Sequence, residues 1–209
     1  MDIDYRKYKS GFYGFDEFKH KIKLALFTSD HVKSKNVISH RICTNLYAAP
    51  IIETTEQIEL YIKHPNDKRS IDEVFSEALI NTFKDDVKYN GIGRKIETIE
   101  YEFYEMNGES YFLTSLLINP LFIKEYAGKK GMLFSVMSRN RFHFGPVSNF
   151  ENIKVIVSLF GMYVFQEYTS IQKNKILPDI FYYNNDTYTN IVEYDKHGNF
   201  EIKLPDYFR

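Results

Sequence analysis

Hydrophobic and polar positions along this chain change period several times, and each change marks an element. From Phe15 to Leu26 the apolar residues Phe15, Phe18, Ile22, Ala25 and Leu26 fit a helix, although Ile22, Leu24 and Leu26 also alternate like a strand. The helical spacing is the better match over the whole stretch, so a helix is expected there. A second short element is expected over residues 36–47, ended before Pro50. Thr54 with Gln57 and Ser70 with Glu73 have capping-box spacing, in which side chains at both ends of the first turn satisfy unpaired backbone N–H groups. The first box predicts a short helix to about Lys63, stopped at Pro65. The second opens a helix whose apolar stripe is Ile71, Val74, Phe75, Ala78, Leu79 and Phe83, broken at Asp85, Asp86 and Asn90–Gly91.

Beyond residue 95 the period falls to two. Ile99, Tyr101 and Phe103 alternate with Glu100 and Glu102, which predicts a strand with one buried and one wet face. Asn107–Gly108 suits a tight hairpin turn, and the apolar run from Tyr111 to Ile118 is the expected return strand, ended by Asn119–Pro120. Another strand follows from Met132 to Met137 and continues through Phe144. Ser148 with Glu151 forms a third capping box, ahead of a helix over about 149–172 that is apolar around most of its circumference and is therefore expected to be packed on most sides. Strands near 179–183, 187–194 and 200–204, joined by polar turns, predict an antiparallel meander.

Together these elements define an α+β fold: N-terminal helices, a central and mostly antiparallel sheet packed on a long buried helix, and a C-terminal three-stranded meander. Residues 1–209 are expected to form one compact domain. The only candidate boundary is at 85–95, dividing a mainly helical part, 1–90, from 91–209, which holds the sheet, central helix and meander.

Composition narrows the class. Hydrophobic residues make up 44% of the chain, enough for a sizeable core, and the aromatic share of 17% comes wholly from 18 Phe and 17 Tyr. The single cysteine, Cys43, excludes an internal disulfide framework and Cys-rich zinc modules. The opening Met-Asp-Ile-Asp-Tyr lacks the basic and apolar regions of a signal peptide, and no apolar run reaches the ~20 residues of a membrane span. A cytoplasmic protein without membrane contact is expected. Lys, Asn, Ile and Tyr are abundant, as in products of AT-rich genomes such as low-GC bacteria, their phages and mobile elements, where accessory and defence proteins of this size are common.

The net charge of −1 hides an uneven layout, with seven basic against fourteen acidic residues over 51–110 and basic excess on both sides of it. No polycation for coating nucleic acid is present, but local surfaces of either sign are.

Several residues carry candidate chemistry. In an extended strand Arg139, Arg141 and His143 project from one face and Phe142 and Phe144 from the other. Two guanidinium forks beside an imidazole can hold a phosphate, or else keep an edge strand charged. His40 and Arg41 offer a second basic pair, close to Cys43. Pro178–Asp179 followed by Glu201-Ile202-Lys203 resembles the Pro-Asp…Glu-x-Lys pattern of restriction-type nucleases. That resemblance implies Asp179 and Glu201 as Mg²⁺ ligands and Lys203 beside the attacking water. Here an extra strand separates two halves that the family joins as one hairpin. Gly91-Ile92-Gly93-Arg94-Lys95 precedes a strand rather than a helix and is expected to be a turn. Tyr194-Asp195-Lys196-His197-Gly198-Asn199 resembles the turn of Rhs-type repeats, but a single copy implies only hairpin-turn chemistry. The six histidines are scattered, with no zinc-ligand spacing, and no cofactor is expected.

Two functions fit these features. The first is a non-catalytic protein-interaction protein, such as a regulatory or accessory subunit, an immunity protein or an inhibitor, whose partner is another protein; self-association into a homo-oligomer is compatible with it. The second is a nucleic-acid-binding or nuclease-type protein that uses Arg139, Arg141 and His143, with or without the Asp179/Glu201/Lys203 site.

Overall fold

A computed structural model describes residues 19–33, 37–53, 58–62, 68–84, 90–110, 112–195 and 197–208. The fold is α+β with large antiparallel sheets. The chain packs as two units, one of Met1–Arg41 with Asn45–Val87 and one of Ile42–Thr44 with Lys88–Arg209.

The smaller unit is built on β1 (Ile22–Thr28), followed by a single helical turn α1 (Ser29–Val32), the first half of β2 (His40–Cys43), β3 (Leu46–Glu53) and β4 (Ile58–Leu60). The strands run in the order β1-β3-β2, with β4 also on β3. The helix expected to reach Leu26 is thus replaced by a strand from Ile22 onward. The two-residue alternation wins because Ile22, Leu24 and Leu26 bury on one side while Ala25 and Phe27 bury on the other. Pro50 ends nothing: it lies inside β3 opposite Leu24, and its carbonyl accepts from Tyr61 N–H at 2.8 Å. The Thr54–Gln57 box lies outside the described residues, but the helix expected beyond it gives way to β4.

Helix α2 (Ile71–Lys84) starts where expected. Ser70 Oγ accepts from Glu73 N–H at 3.1 Å, and the Glu73 carboxylate accepts from Ser70 N–H at 2.7 Å. Its buried face is rotated from the expected stripe, since Ile71 and Leu79 are exposed and Val74, Ala78, Asn81 and Thr82 are buried. The polar pair explains the rotation. Asn81 Nδ2 donates to the carbonyls of Lys19 (2.5 Å) and Ile22 (3.0 Å), and Thr82 Oγ1 accepts from Leu24 N–H at 2.7 Å. Side-chain hydrogen bonds to β1 backbone, as well as apolar burial, set how this helix docks.

The larger unit is a seven-stranded antiparallel sheet: β5 (Asn90–Ile96), β6 (Tyr101–Asn107), β7 (Met132–Ser138), β8 (Arg141–Pro146), β9 (Ile180–Asn184), β10 (Thr187–Tyr194) and β11 (Phe200–Ile202), in the order β11-β10-β9-β7-β8-β6-β5. The expected meander is β9-β10-β11, its first turn carried by Asn185 and Asp186 at positive φ. The strand expected to run from Met132 through Phe144 is two strands, β7 and β8, folded back at Arg139–Asn140.

Two expectations fail here for physical reasons. Asn107–Gly108 does not close a hairpin with 111–118. Gly108 N–H donates to Asn140 O at 3.2 Å, β8 takes the place beside β6, and Leu113–Ile118 is a 3₁₀ segment leading to α3 (Pro120–Tyr126). A continuous apolar run cannot by itself distinguish a buried strand from a buried helical segment. Gly91–Lys95 is not a turn but the body of β5.

Opposite faces of the sheet are covered by different elements. On one, Phe122 and Tyr126 of α3 pack against Tyr104, Phe142 and Phe144. On the other lies α4 (Ile153–Ser170), which buries Ile153, Val157, Phe160, Gly161 and Val164 against Tyr101, Phe103, Leu133 and Ile180. This helix is not packed on most sides. Val155 is 46% and Met162 59% exposed, because the helix lies on the sheet rather than through the core. Nor does the Ser148–Glu151 box form: Asn149 Oδ1 accepts from Glu151 N–H at 2.9 Å, and the helix starts after Asn152 at φ 57°.

Candidate functional site

Residues 139–143 do not form one solvent-facing basic stripe. Arg139 lies in the β7–β8 turn, where its N–H donates to Asn174 O at 3.2 Å. Arg141 and His143 do share the face of β8 beneath α4, and Phe142 and Phe144 take the other face, as strand alternation requires.

Both residues converge on a carboxylate that the sequence reading passed over. Glu105 of β6 stands directly across from His143, and His143 across from Ser135 of β7, so the three form one row over three strands. Glu105 is 3% exposed and His143 0%. Arg141 Nη2 donates to Glu105 Oε1 at 2.6 Å and to Glu167 Oε2 on α4 at 2.7 Å. Arg94 Nη2 of β5 donates to Glu105 Oε2 at 3.1 Å. His143 Nε2 lies 3.8 Å from Glu105 Oε2, past hydrogen-bond length. Neither imidazole nitrogen, nor Ser135 Oγ, has a hydrogen-bond partner among the described residues.

The electrostatics follow from this arrangement. His143, Arg94 and Arg141 hold the Glu105 carboxyl well below the usual carboxylate range, against the opposing push of burial. Burial lowers the pKa of His143, with Glu105 opposing, so the imidazole stays neutral. Burial also raises Tyr163, whose ring centroid is 5.3 Å from that of His143, and the charges of Glu105 and Glu167 add to the effect. Two guanidiniums therefore face two carboxylates around a neutral histidine. Arg141 Nη2 is taken by Glu105 and Glu167 while its buried Nε has no partner among the described residues, and the cluster ties β5, β6, β8 and α4 together. Phase was the signal for it: Glu105 continues the buried series Tyr101, Phe103, and Glu167 continues the α4 stripe from Phe160 and Val164.

The other candidates are scattered. His40 and Arg41 are exposed at the start of β2, in the smaller unit, where the His40 ring meets Phe75 edge-on at 6.0 Å. Cys43 is buried. Asp179 is 5% exposed and accepts from Asn190 Nδ2 at 2.8 Å and Tyr194 N–H at 3.4 Å, holding β10 where its register shifts between Asn190 and Val192. Burial pushes its pKa up to about 6. Glu201 is exposed beside Lys203, 3.4 Å away, and Lys203 also meets Glu193 at 3.2 Å. The two carboxylates of the nuclease-like pattern thus have separate partners. Among the described residues no group of three His, Cys, Asp or Glu is placed to hold a metal ion. Asp195 fills a turn role, accepting from His197 N–H, Asn199 N–H and the Asn199 side chain.

A cleft of about 540 Å³ opens between the start of β6, the end of β8 and the N-terminal turn of α4. Val147, Ile153, Ile99 and Ile156 are its apolar lining residues, and exposed Glu100 and Glu151 stand beside them. No Lys or Arg lines it. Glu100 and Asn152, both at positive φ, belong to its wall.

Comparison with known proteins adds no identity: no protein-family model, curated protein or solved structure matches this chain significantly. No helix among the described residues is long and apolar enough to cross a membrane.

Proposed function

We propose that this is a non-catalytic protein-interaction protein whose cleft at the head of α4 takes a basic side chain of a partner protein. The carrying observation is the cleft's chemistry, Ile99 and Ile156 beside the exposed carboxylates of Glu100 and Glu151 with no cation in its lining. Lys and Arg have matching form, an apolar stem that prefers cover and a charged head that prefers carboxylates. The Glu105 cluster, the most chemically loaded group of residues, is buried and internally neutralised, which speaks for a structural role. The test is fluorescence anisotropy of labelled Lys/Arg-rich peptides against the full chain at two salt concentrations. Binding that weakens with salt and is abolished by Glu100→Lys with Glu151→Lys supports the reading. No binding at low salt defeats it.

A second reading, nucleic-acid binding, draws on a different observation. Arg139 N–H bonds Asn174 O, and Ser138 bridges to Lys175, so the β7–β8 turn and the exposed segment 172–175 bring Arg139, Lys173 and Lys175 to one end of the sheet. Lys175 Nζ stands 4.5 Å over the Tyr168 ring. Anisotropy with labelled single-stranded and duplex probes tests it. Salt-sensitive binding lost on Lys173→Ala with Lys175→Ala favours it.

A further inference from the structure

The two ends of the seven-stranded sheet are finished differently. At one end β11 is three residues long, with Glu201 at its centre and Lys203 just beyond it, a short and charged edge of the kind that resists further pairing. At the other, β5 is seven residues long and has no described strand on its outer side. Its residues Asn90 to Lys95 are all exposed, including Ile92 at 43%. Two of its residues are glycine and none is proline, so neither bulky side chains there nor a missing N–H blocks its backbone groups from another strand.

We propose that β5 is a self-association edge, at which two copies of this chain pair antiparallel about Gly93 and join two sheets into one. The side-chain pattern selects a second copy over an arbitrary extended peptide. Arg94 reaches Glu105 on the α4 face and Ile96 packs on that side, so Ile92, Arg94 and Ile96 share it, while Gly91, Gly93 and Lys95 take the other face. Pairing about Gly93 sets Arg94 against Ile92 of the second copy and Lys95 against Gly91. No two like charges are directly opposed, and the two Arg94, set diagonally, are each turned onto the Glu105 of their own copy. The same register brings the two Ile92 side chains into diagonal contact and covers the apolar group the isolated edge leaves in water. Arg94 is already held by Glu105, which fixes the geometry of that side of the edge. The proposal does not rest on the cleft, none of whose lining residues belongs to β5.

Sedimentation of the full chain from low micromolar to roughly 0.5 mM should show a concentration-dependent dimer, as expected for an interface smaller than the standard size. A chain that stays monomeric throughout overturns the proposal. Gly93→Cys places a thiol at the dyad, where facing Cα atoms are about 4.5–5.5 Å apart and a disulfide can close. A Cβ at Gly93 meets only Tyr104 Cε1, at 3.9 Å, so the substitution fits the fold. Mild oxidation should give a reducible dimer, and a dimer that forms without this cross-link has another interface. Ile92→Lys and Ile92→Glu remove the same apolar contact but oppose Arg94 with opposite charges, twice per dimer. The lysine variant should weaken dimerisation about tenfold or more relative to the glutamate variant. Equal weakening by both rules out this register.

Discussion

Glu105 and Asp179 are equally hidden, at 3% and 5% exposure, within one sheet unit, yet their chemistry is displaced in opposite directions. Glu105 meets His143 and two guanidiniums, and its carboxyl is held far below the ordinary range. Asp179 is offered only the Asn190 amide and the Tyr194 N–H, and burial pushes it up to about 6. Neighbours, not depth, decide whether a buried carboxylate stabilises the fold or costs it stability.

The largest effect should come from breaking the paired site. Glu105→Gln takes their shared carboxylate from part-exposed Arg94 and Arg141 and should cost about 2–3 kcal/mol, read from the urea midpoint at pH 7. A loss below ~1 kcal/mol would mean that the cluster does not hold the strands and α4 together. The mirror experiment is Asp179→Asn, which keeps the acceptor for Asn190 and removes the buried charge. Raising the carboxyl from 3.8 to about 6 corresponds to about 3 kcal/mol at neutral pH, so this variant should be more stable than the parent by up to that amount. The gain should vanish below about pH 4, where the parent's carboxyl is protonated folded or unfolded.

Acid titration sharpens the contrast. His143 takes its proton at lower pH in the folded chain than in the unfolded one, so its effect is stability lost as pH falls below 6.5. Folded Asp179 takes its proton near pH 6 whereas the unfolded chain waits until 3.8, so its effect is stability gained as pH falls over that window. The two slopes, each up to ~1.4 kcal/mol per pH unit, oppose one another. The difference in stability between Asp179→Asn and parent should therefore fall steeply with acid, and that between His143→Phe and parent should rise. Parallel pH profiles for parent and variants would refute the assignment. The smallest effect belongs to the exposed end of the sheet: Lys203→Ala should leave the midpoint unchanged, because its ion pairs with Glu193 and Glu201 lie in water.

Legibility in the sequence tracked the locality of the signal. The Ser70–Glu73 cap, the strand from Met132 and the meander with its Asn185–Asp186 turn are settled by residues near one another, and each could be read off. The segment 111–118 could not, because what displaced it from β6 was β8, some 25 residues on. The β1 region needed its partner β3 to decide between two valid periodicities. For the candidate site, alternation correctly placed Arg141 and His143 on one face and the Phe pair on the other. It could not show that this face was roofed by α4, nor that Glu105 and Glu167 would occupy the guanidinium. Asp179 was noticed for a motif, but its partners Asn190 and Tyr194 come together only through the register shift in β10.

The docking of α2 has a consequence for motion. Leu24 N–H points to Thr82 Oγ1 and the Ile22 carbonyl to Asn81, so these β1 groups depend on a helix almost 60 residues away for their partners. If α2 lifts, the Leu24 amide meets water even while its strand remains whole. Its hydrogen-exchange rate is then a gauge of helix detachment, separable from the melting of the sheet.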